Sequence, residues 1–341
     1  MPAMSNLSYR SALIGLTLLA FATAIIVLGI GRFSLSPLES FHILWSGLIH
    51  GQSAVANEQG YSVIFNIRLP RILLAVLVGA GLAVSGAAFQ ALFSNPLATA
   101  DTLGVTAGAA FGACLGLLLG FHLIGVQFAA LAFGLLAMII ISNLGRKKGK
   151  MNIIMMILGG IVVGSLFSAL LALLRLIADP EQHLPQITFW LMGSLSNASY
   201  NSLMFGAPFI LVGIAVIFAL RWKLNLLALD EDEAASMGVN VNALRIVVIV
   251  SATFITAAAV SMAGQVGWVA LLIPLIARMA FGSNNQRIVP ACIIMGATFM
   301  LVIDTVARAA TPTEIPLTIL TAIIGAPVFI YMLRKTGGVW I

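Results

Sequence analysis

The sequence predicts an all-α polytopic bundle of about ten membrane-spanning helices, and three observations support this fold class. Hydrophobic residues make up 61% of the 341 residues and charged residues only 8%, and the mean hydropathy is +1.10. Soluble domains are about 45–50% apolar and about 25% charged. The apolar runs reach the roughly 20 residues that a helix needs to cross a bilayer. We therefore treat residues 1–341 as a single transmembrane domain.

The predicted spans follow the apolar runs. They lie at about residues 11–31, from after Arg71 to about Phe93, 103–120, 124–144, 152–178, 203–220, 244–263, 268–281, 288–308 and 317–333. The segment 32–61 between the first two is mixed and polar. The eighth run is too short to cross comfortably, so it is either a tilted short span or a re-entrant helix.

The distribution of basic residues favours ten spans over nine or eleven. Ten spans put both termini on one side, together with Arg10, the run 146–150, Arg221, Lys223, Arg287, Arg334 and Lys335. Arg32, Arg68, Arg71 and Arg308 lie on the other side. By the positive-inside rule, the side with more lysine and arginine residues is cytoplasmic. The net charge of +6 is small for this length, so it indicates cytoplasmic loops and not nucleic-acid binding.

The third predicted span carries glycine at every fourth position. These glycines, at 104, 108, 112, 116 and 120, would line one helical face. Such a stripe lets a neighbouring helix approach to backbone distance. We expect a tightly packed scaffold helix, and the alternative is that the stripe lines a pathway.

The sequence shows no chemistry that could drive transport by itself. Gly145-Arg-Lys-Lys-Gly-Lys150 is one residue short of a P-loop and lacks its Ser or Thr. The histidines and the two cysteines show no metal-site spacing. A proton relay would need carboxylates in mid-membrane, where Asp304 is the only deep candidate, and Arg308 is placed to pair with it. We therefore expect no enzymatic activity, and a partner that supplies the energy.

The segment from Asp230 to Gly238 is the most polar patch of the chain. It reads Asp-Glu-Asp-Glu-Ala-Ala-Ser-Met-Gly. Acidic residues suit a helix N-terminus, and glycine suits the position just past the end of a helix. We predict a short helix on the cytoplasmic side, within about residues 230–240. This helix would contact a soluble partner and receive mechanical force from it.

Both halves of the chain contain short motifs in a fixed order. The first half contains Arg68-Leu-Pro-Arg71, Gly86-Ala-Ala-Phe-Gln90, Asn95-Pro-Leu97 and Leu103-Gly-Val105. The second half contains Leu226-Leu-Ala-Leu229, Glu233-Ala-Ala-Ser-Met-Gly238, Ala263-Gly-Gln-Val-Gly-Trp-Val269, Pro274, Ala277-Arg278, Asp304 with Arg308, Glu314-Ile-Pro316 and Gly325-Ala-Pro327. In these motifs, over about residues 10–335, the chain resembles the FecCD-type permeases, the membrane subunits of ABC importers for iron-siderophores, haem and cobalamin.

The resemblance implies a type II ABC importer permease. In this architecture a second permease subunit, identical or closely related, shares a central pathway. A cytosolic ATP-binding subunit dimer holds ATP and Mg, and a periplasmic or lipid-anchored binding protein delivers the solute. The chain itself needs no cofactor, and its further partner is membrane lipid. The expected location is the bacterial inner membrane.

The resemblance also assigns roles to residues. The coupling helix that docks into the ATPase corresponds to Asp232, Glu233, Ala234, Ala235, Met237 and Gly238. The residues that would dock the binding protein correspond to Arg68, Arg71 and Arg308. The alternative is that these three arginines only snorkel at the membrane edge. Trp268 and Leu275 are candidate pathway residues. Arg175 is a third candidate because it lies deep in the predicted fifth span, where it would favour an anionic solute if it faces the pathway. The alternative is that Arg175 snorkels near the outer edge of the membrane.

The sequence departs from the family pattern at three places, and the two departures on the short eighth span, near the expected pathway, leave the substrate open. Leu275 stands where the family usually has His, Trp268-Val-Ala-Leu271 replaces a Phe-Val-Gly-Leu run, and Asp230 replaces a frequent Gly. We expect an iron chelate (siderophore or haem) or a related metal compound. Molybdate or tungstate, or cobalamin, is the alternative within the same type. An ion-coupled secondary transporter working alone, or a receptor that transports nothing, are alternatives from other classes.

Overall fold

The structure is a computed structural model of the chain. It describes residues 6–336 except 32, 34, 52–56, 148, 149 and 230, and at 147, 150, 231, 232, 235 and 336 it describes the backbone only. The helices are α1 (Asn6–Gly29), α2 (Pro37–His50), α3 (Glu58–Ser62), α4 (Leu69–Leu92), α5 (Val105–Leu118), α6 (Leu123–Leu144), α7 (Ile153–Ile177), α8 (His183–Leu191), α9 (Tyr200–Leu220), α10 (Glu231–Ser236), α11 (Val241–Ala263), α12 (Val269–Phe281), α13 (Asn285–Ala309) and α14 (Leu317–Thr336).

Ten apolar helices within the described ranges agree with the predicted spans. Eight are long and apolar enough to cross a membrane, and two, α5 and α12, are shorter. The short eighth span was expected, but α5 is also shorter than the predicted 103–120. Gly104 and Gly120 both have positive φ and lie outside this helix, so they mark its two ends. A two-residue antiparallel ladder joins β1 (Arg146–Lys147) to β2 (Lys150–Met151) after α6.

The second span begins earlier than predicted. We predicted a start after Arg68-Leu-Pro-Arg71. Instead α3 leads through a π-helical segment, Val63–Arg68, directly into α4, which makes one continuous helix from Glu58 to Leu92. Pro70 has no N–H and its ring crowds the carbonyl four residues back. The wider π turn lies at this point of the helix and accommodates both effects.

The polar segment 32–61 also contains a helix that was not predicted. The Ser36 hydroxyl accepts a hydrogen bond from the Glu39 N–H at 3.1 Å, and Pro37 occupies the first turn of α2. These are ordinary helix-start signals, so the local sequence contained enough information to predict α2.

The core of the bundle consists of α4 and α11, and α1 lies at its edge. The apolar windows of α4 and α11 are 83% and 78% buried, whereas that of α1 is 11% buried. Helices that leave lipid to contact one another gain little hydrophobic free energy, because lipid tails are as apolar as their side chains. Close packing of the backbones must therefore hold such helices together. At Gly79 of α4 an added Cβ would lie 2.2 Å from the Gly296 carbonyl oxygen of α13. Only glycine permits this crossing.

The glycine stripe of α5 serves as scaffold, as expected. A Cβ at Gly112 would lie 2.4 Å from the Ala129 carbonyl oxygen of α6, and one at Gly108 would lie 2.7 Å from that of Phe133. Both glycines are buried. The stripe therefore faces a packed neighbour, and the alternative of a pathway lining is wrong for these two positions.

Candidate functional site

The short helix predicted within about residues 230–240 is present as α10 (Glu231–Ser236). A 3-10 helix (Lys223–Ala228) precedes it, and Gly238 follows it with φ +77°. Apart from its chain neighbours, no atom of the described residues lies within 4 Å of a Cβ built on Gly238. Glycine is therefore favoured here by the left-handed backbone, which ends the helix, and not by crowding.

One side of α10 is anchored and another faces outward. Ala234 is 0% exposed and belongs to the same buried cluster as Leu224 and Leu244. Glu233 is exposed, and Met237 is 58% exposed. Met237 lies in the turn directly after α10, so an exposed carboxylate on the helix and an exposed, flexible apolar side chain just past its end lie within four residues of each other. Asp230 lies outside the described residues, and only the backbone is described at Asp232 and Ala235.

At the opposite end of the bundle, Arg71 joins three elements. Its Nε donates to Asp304 Oδ1 of α13 at 2.9 Å. Its Nη1 and Nη2 donate to the two carboxylate oxygens of Glu314 at 2.7 and 3.0 Å. Asp304 is only 2% exposed. This two-sided fork is the geometry in which arginine pairs most strongly with carboxylates.

Arg68 and Arg308 cap the end of α1. Arg68 donates to the carbonyl oxygens of Leu28 and of Phe33, the latter at 2.6 Å. Arg308 donates to those of Ile30 at 2.6 Å and Val27 at 2.9 Å. The last carbonyls of a helix have no partner within it, and basic side chains are suited to bind them. These contacts tie α1 to α4 and α13.

We call Arg68, Arg71, Asp304, Arg308 and Glu314 the arginine cluster. It carries one net positive charge, because three guanidinium groups face two carboxylates. Arg68 and Arg71 are 4% and 9% exposed, so they are not free arginines that snorkel at an edge. An open cavity of about 620 Å³ beside Arg308, lined also by Ile30, Gly31 and residues 309–312, is where the cluster meets the surface.

The predicted ion pair of Asp304 with Arg308 is present, but Asp304 also has a closer partner that the sequence did not indicate. Arg308 lies four residues on and does form an ion pair with it, but at 3.7 Å, whereas Arg71 approaches to 2.9 Å. Arg71 is 233 positions away, and Glu314 is 243 positions from Arg71. Glu314 was noted only as part of a motif. No local spacing could have joined these residues.

The three candidate pathway residues lie in different environments. Arg175 is exposed in the last turn of α7. Leu275 is 0% exposed within a cluster that includes Leu272 and Met332, so in this conformation it cannot touch a solute. That these three residues line a pathway remains a prediction.

Trp268 has an unusual backbone that fixes the start of α12. Its φ is +68°, a conformation that is strained for a large side chain. The indole lies against Gly325 of α14, where a Cβ would come within 2.8 Å of the ring. Its ring also makes an edge contact with Phe329, with centroids 6.1 Å apart. The indole therefore connects α12 to α14.

The comparison with known proteins gives a consistent result over nearly the whole chain. The FecCD transport family matches residues 16–335. The Molybdate import system permease protein MolB of Haemophilus influenzae is 43% identical, with 97% of this chain and 98% of that protein covered. The Hemin transport system permease protein HmuU of Yersinia pestis is 33% identical, with 91% and 93% covered.

A solved structure has the same fold. It is described as an inward-facing conformation of a metal-chelate type ABC transporter, and it matches with a TM-score of 0.86 and 41% identity over 96% of this chain and 99% of that one. The chain therefore belongs to the FecCD transport family: it is the multi-pass permease subunit of an ABC importer of the metal-chelate type, which acts with an ATPase and another permease subunit.

Proposed function

We propose that this permease carries an iron chelate (siderophore or haem) or a related metal compound inward, driven by ATP hydrolysis on a separate cytosolic subunit dimer. The observation that carries the energetic part is α10. It is anchored through buried Ala234 while Glu233 and Met237 face outward. A partner could pair basic residues with the carboxylate and seat the methionine in a groove.

The orientation in the membrane follows from charge. Within the described residues, Arg10, Arg146, Arg221 and Arg334 lie at the same end of the bundle as α10. The positive-inside rule makes that end cytoplasmic in a bacterial inner membrane. Both termini then lie in the cytoplasm, and the arginine cluster faces the periplasm.

Docking of a periplasmic or lipid-anchored binding protein at the arginine cluster is the second part of the proposal. Two permease subunits would present two such clusters, each with one net positive charge, to acidic groups on a two-lobed partner. Because Arg68 and Arg71 are bound internally, attraction would act through the field of the cluster and through the surface beside Arg308. Such steering weakens with salt.

A second candidate substrate is a molybdate-like oxyanion. It is favoured by the 43% identity over 97% of this chain to a protein named as a molybdate import permease. An oxyanion needs a positive or hydrogen-bonding path. Exposed Arg175 is the candidate that the sequence offered for such a path.

Reconstitution tests the proposal. The tagged permease is co-expressed with its ATP-binding subunit and cognate binding protein, and the purified complex is placed in vesicles. We expect the three to co-purify and radiolabelled ferric chelate to enter only with ATP. Entry of molybdate but not chelate would favour the oxyanion. Failure of the ATPase to co-purify, together with uptake without ATP, would overturn the coupling proposal.

A further inference from the structure

A surface groove lies between α6 and α11. Its volume is about 370 Å³. Apolar side chains from both helices line its walls: Leu135, Met138, Ile139, Ile246, Ile249 and Val250. Ile139 and Val250 are 58% and 46% exposed, so the groove is open along its length.

One end of the groove is polar and basic. Ser142, Asn143 and Arg146 line it at the end of α6. Asn143 and Arg146 are exposed, and no hydrogen bond or ion pair holds the Arg146 side chain within the described part of the chain. The sequence places Lys147, Lys148 and Lys150 directly after it. Hydroxyl, amide and guanidinium donors together suit a phosphate.

The length of the groove matches one leaflet. From Leu135 to its end at Leu144, α6 rises about 14 Å at 1.5 Å per residue, and half of a bilayer core is about 15 Å thick. Arg146 follows two residues beyond the end of the helix. An acyl chain lying along the walls would therefore place its headgroup at Arg146. The apolar and basic parts are arranged as in one phospholipid molecule.

From this geometry we infer that the α6–α11 groove binds an anionic phospholipid of the cytoplasmic leaflet, with its acyl chain along α6 and α11 and its phosphate at Arg146. Basic pockets between helices on the cytoplasmic side are known to take acidic headgroups. The carbonyl end of the α6 dipole would by itself repel a phosphate. Preference for an acidic lipid therefore depends on the guanidinium group of Arg146.

Native mass spectrometry of the purified full chain, titrated with phosphatidylglycerol or phosphatidylcholine, tests the headgroup part. We expect one tightly held phosphatidylglycerol per chain and weaker phosphatidylcholine. Arg146→Gln should lower the preference for phosphatidylglycerol about fivefold, the effect of one charge near a membrane surface. The matched control is Arg10→Gln, an exposed arginine at the same end of the bundle, which should leave the preference unchanged. Equal preferences in the two variants would overturn the inference.

A second pair of variants tests the acyl part without touching charge. Val250→Trp fills the groove and should reduce binding of both lipids. Val247→Trp, at a residue that is 41% exposed on the same helix but outside the groove lining, should not. Both variants should unfold at the wild-type temperature. If they bind lipid equally, or if a cysteine at position 250 crosslinks a second permease and not a reactive lipid, the groove is not a lipid site.

Discussion

The arginine cluster and α10 lie at opposite ends of the bundle and use charge in opposite ways. In the cluster, Arg71 is enclosed between Asp304 and Glu314, and its donors are bound inside the protein. On α10 and in the turn that follows it, Glu233 and Met237 are exposed, and the anchoring contact is a small alanine, Ala234. Both regions are rich in charged residues. The difference indicates that the first holds helices together, whereas the second is available to a partner.

The largest expected effect is on stability, in the cluster. Arg71→Ala leaves the buried carboxylate of Asp304 without its closest cation, and breaking a buried pair in this way costs about 3–5 kcal/mol. Thermal unfolding of the detergent-solubilised chain measures this loss. The double variant R71M/D304L removes both charges and should be less destabilised than the sum of the single variants. If Arg71→Ala unfolds like the wild type, the cluster has no structural role.

Next in size is the end of α10. Gly238→Ala forces a Cβ into the left-handed region, which costs about 1–2 kcal/mol, and should loosen α10 without unfolding the bundle. Hydrogen exchange of residues 231–238 should speed up. Gly238→Asn, which tolerates this conformation better, should have a smaller effect.

Gly15→Ala is the matched control for that substitution. A Cβ at Gly15 also meets no atom within 4 Å, but Gly15 lies in α1 without a positive φ. It should not accelerate exchange in α10. Equal protection of α10 in Gly238→Ala and wild type would contradict the role assigned to Gly238.

A smaller free-energy effect is expected for Glu233→Arg, and it should appear in binding. An exposed charge contributes little to folding, so stability should stay within about 0.5 kcal/mol of wild type. Retention of the ATP-binding subunit in a low-salt pull-down should fall about tenfold, equivalent to about 1.4 kcal/mol. A loss of stability comparable to that of Arg71→Ala would make α10 a second structural site and remove the contrast.

The smallest effect belongs to a third charged site, Asp179, in the exposed loop before α8. Its carboxylate accepts hydrogen bonds from the N–H groups of Glu181 and Gln182 at 2.9 and 2.8 Å, and these bonds lower its pKa. A lowered pKa means that the contribution is present above about pH 4, the ordinary carboxyl value, and is lost as the pH falls through the lowered value. As the pH falls through that range, hydrogen exchange at the amides of Glu181 and Gln182 should become faster in the wild type than in Asp179→Asn. The same pH dependence in both proteins would contradict the role assigned to the Asp179 carboxylate.

The sequence was sufficient wherever the signal was local. Span positions follow from runs of apolar residues, and α10 follows from acidic residues, alanines and a glycine in the right order. The Ser36 and Pro37 signals for α2 were equally local. The fold was therefore predictable in outline, because each membrane helix must satisfy its own backbone hydrogen bonds.

Contacts between distant residues were not predictable in the same way. Arg71 meets Glu314 across 243 positions, and nothing in either neighbourhood specifies the other. Leu275 was placed near a pathway from its position in a motif, yet packing against α14 buries its side chain. The π turn before Pro70 was likewise not predicted. It exists because α3 continues into α4 at a place where we expected a helix to begin.

The most direct test of the claim that energy enters at α10 is site-specific photo-crosslinking in the assembled transporter. A crosslinking residue at Met237, which is 58% exposed, should capture the ATP-binding subunit. One at Leu7, which is 82% exposed at the same end of the bundle but on α1, should not. Capture from position 237 alone is the predicted result. Capture from neither position, or equally from both, would contradict the account.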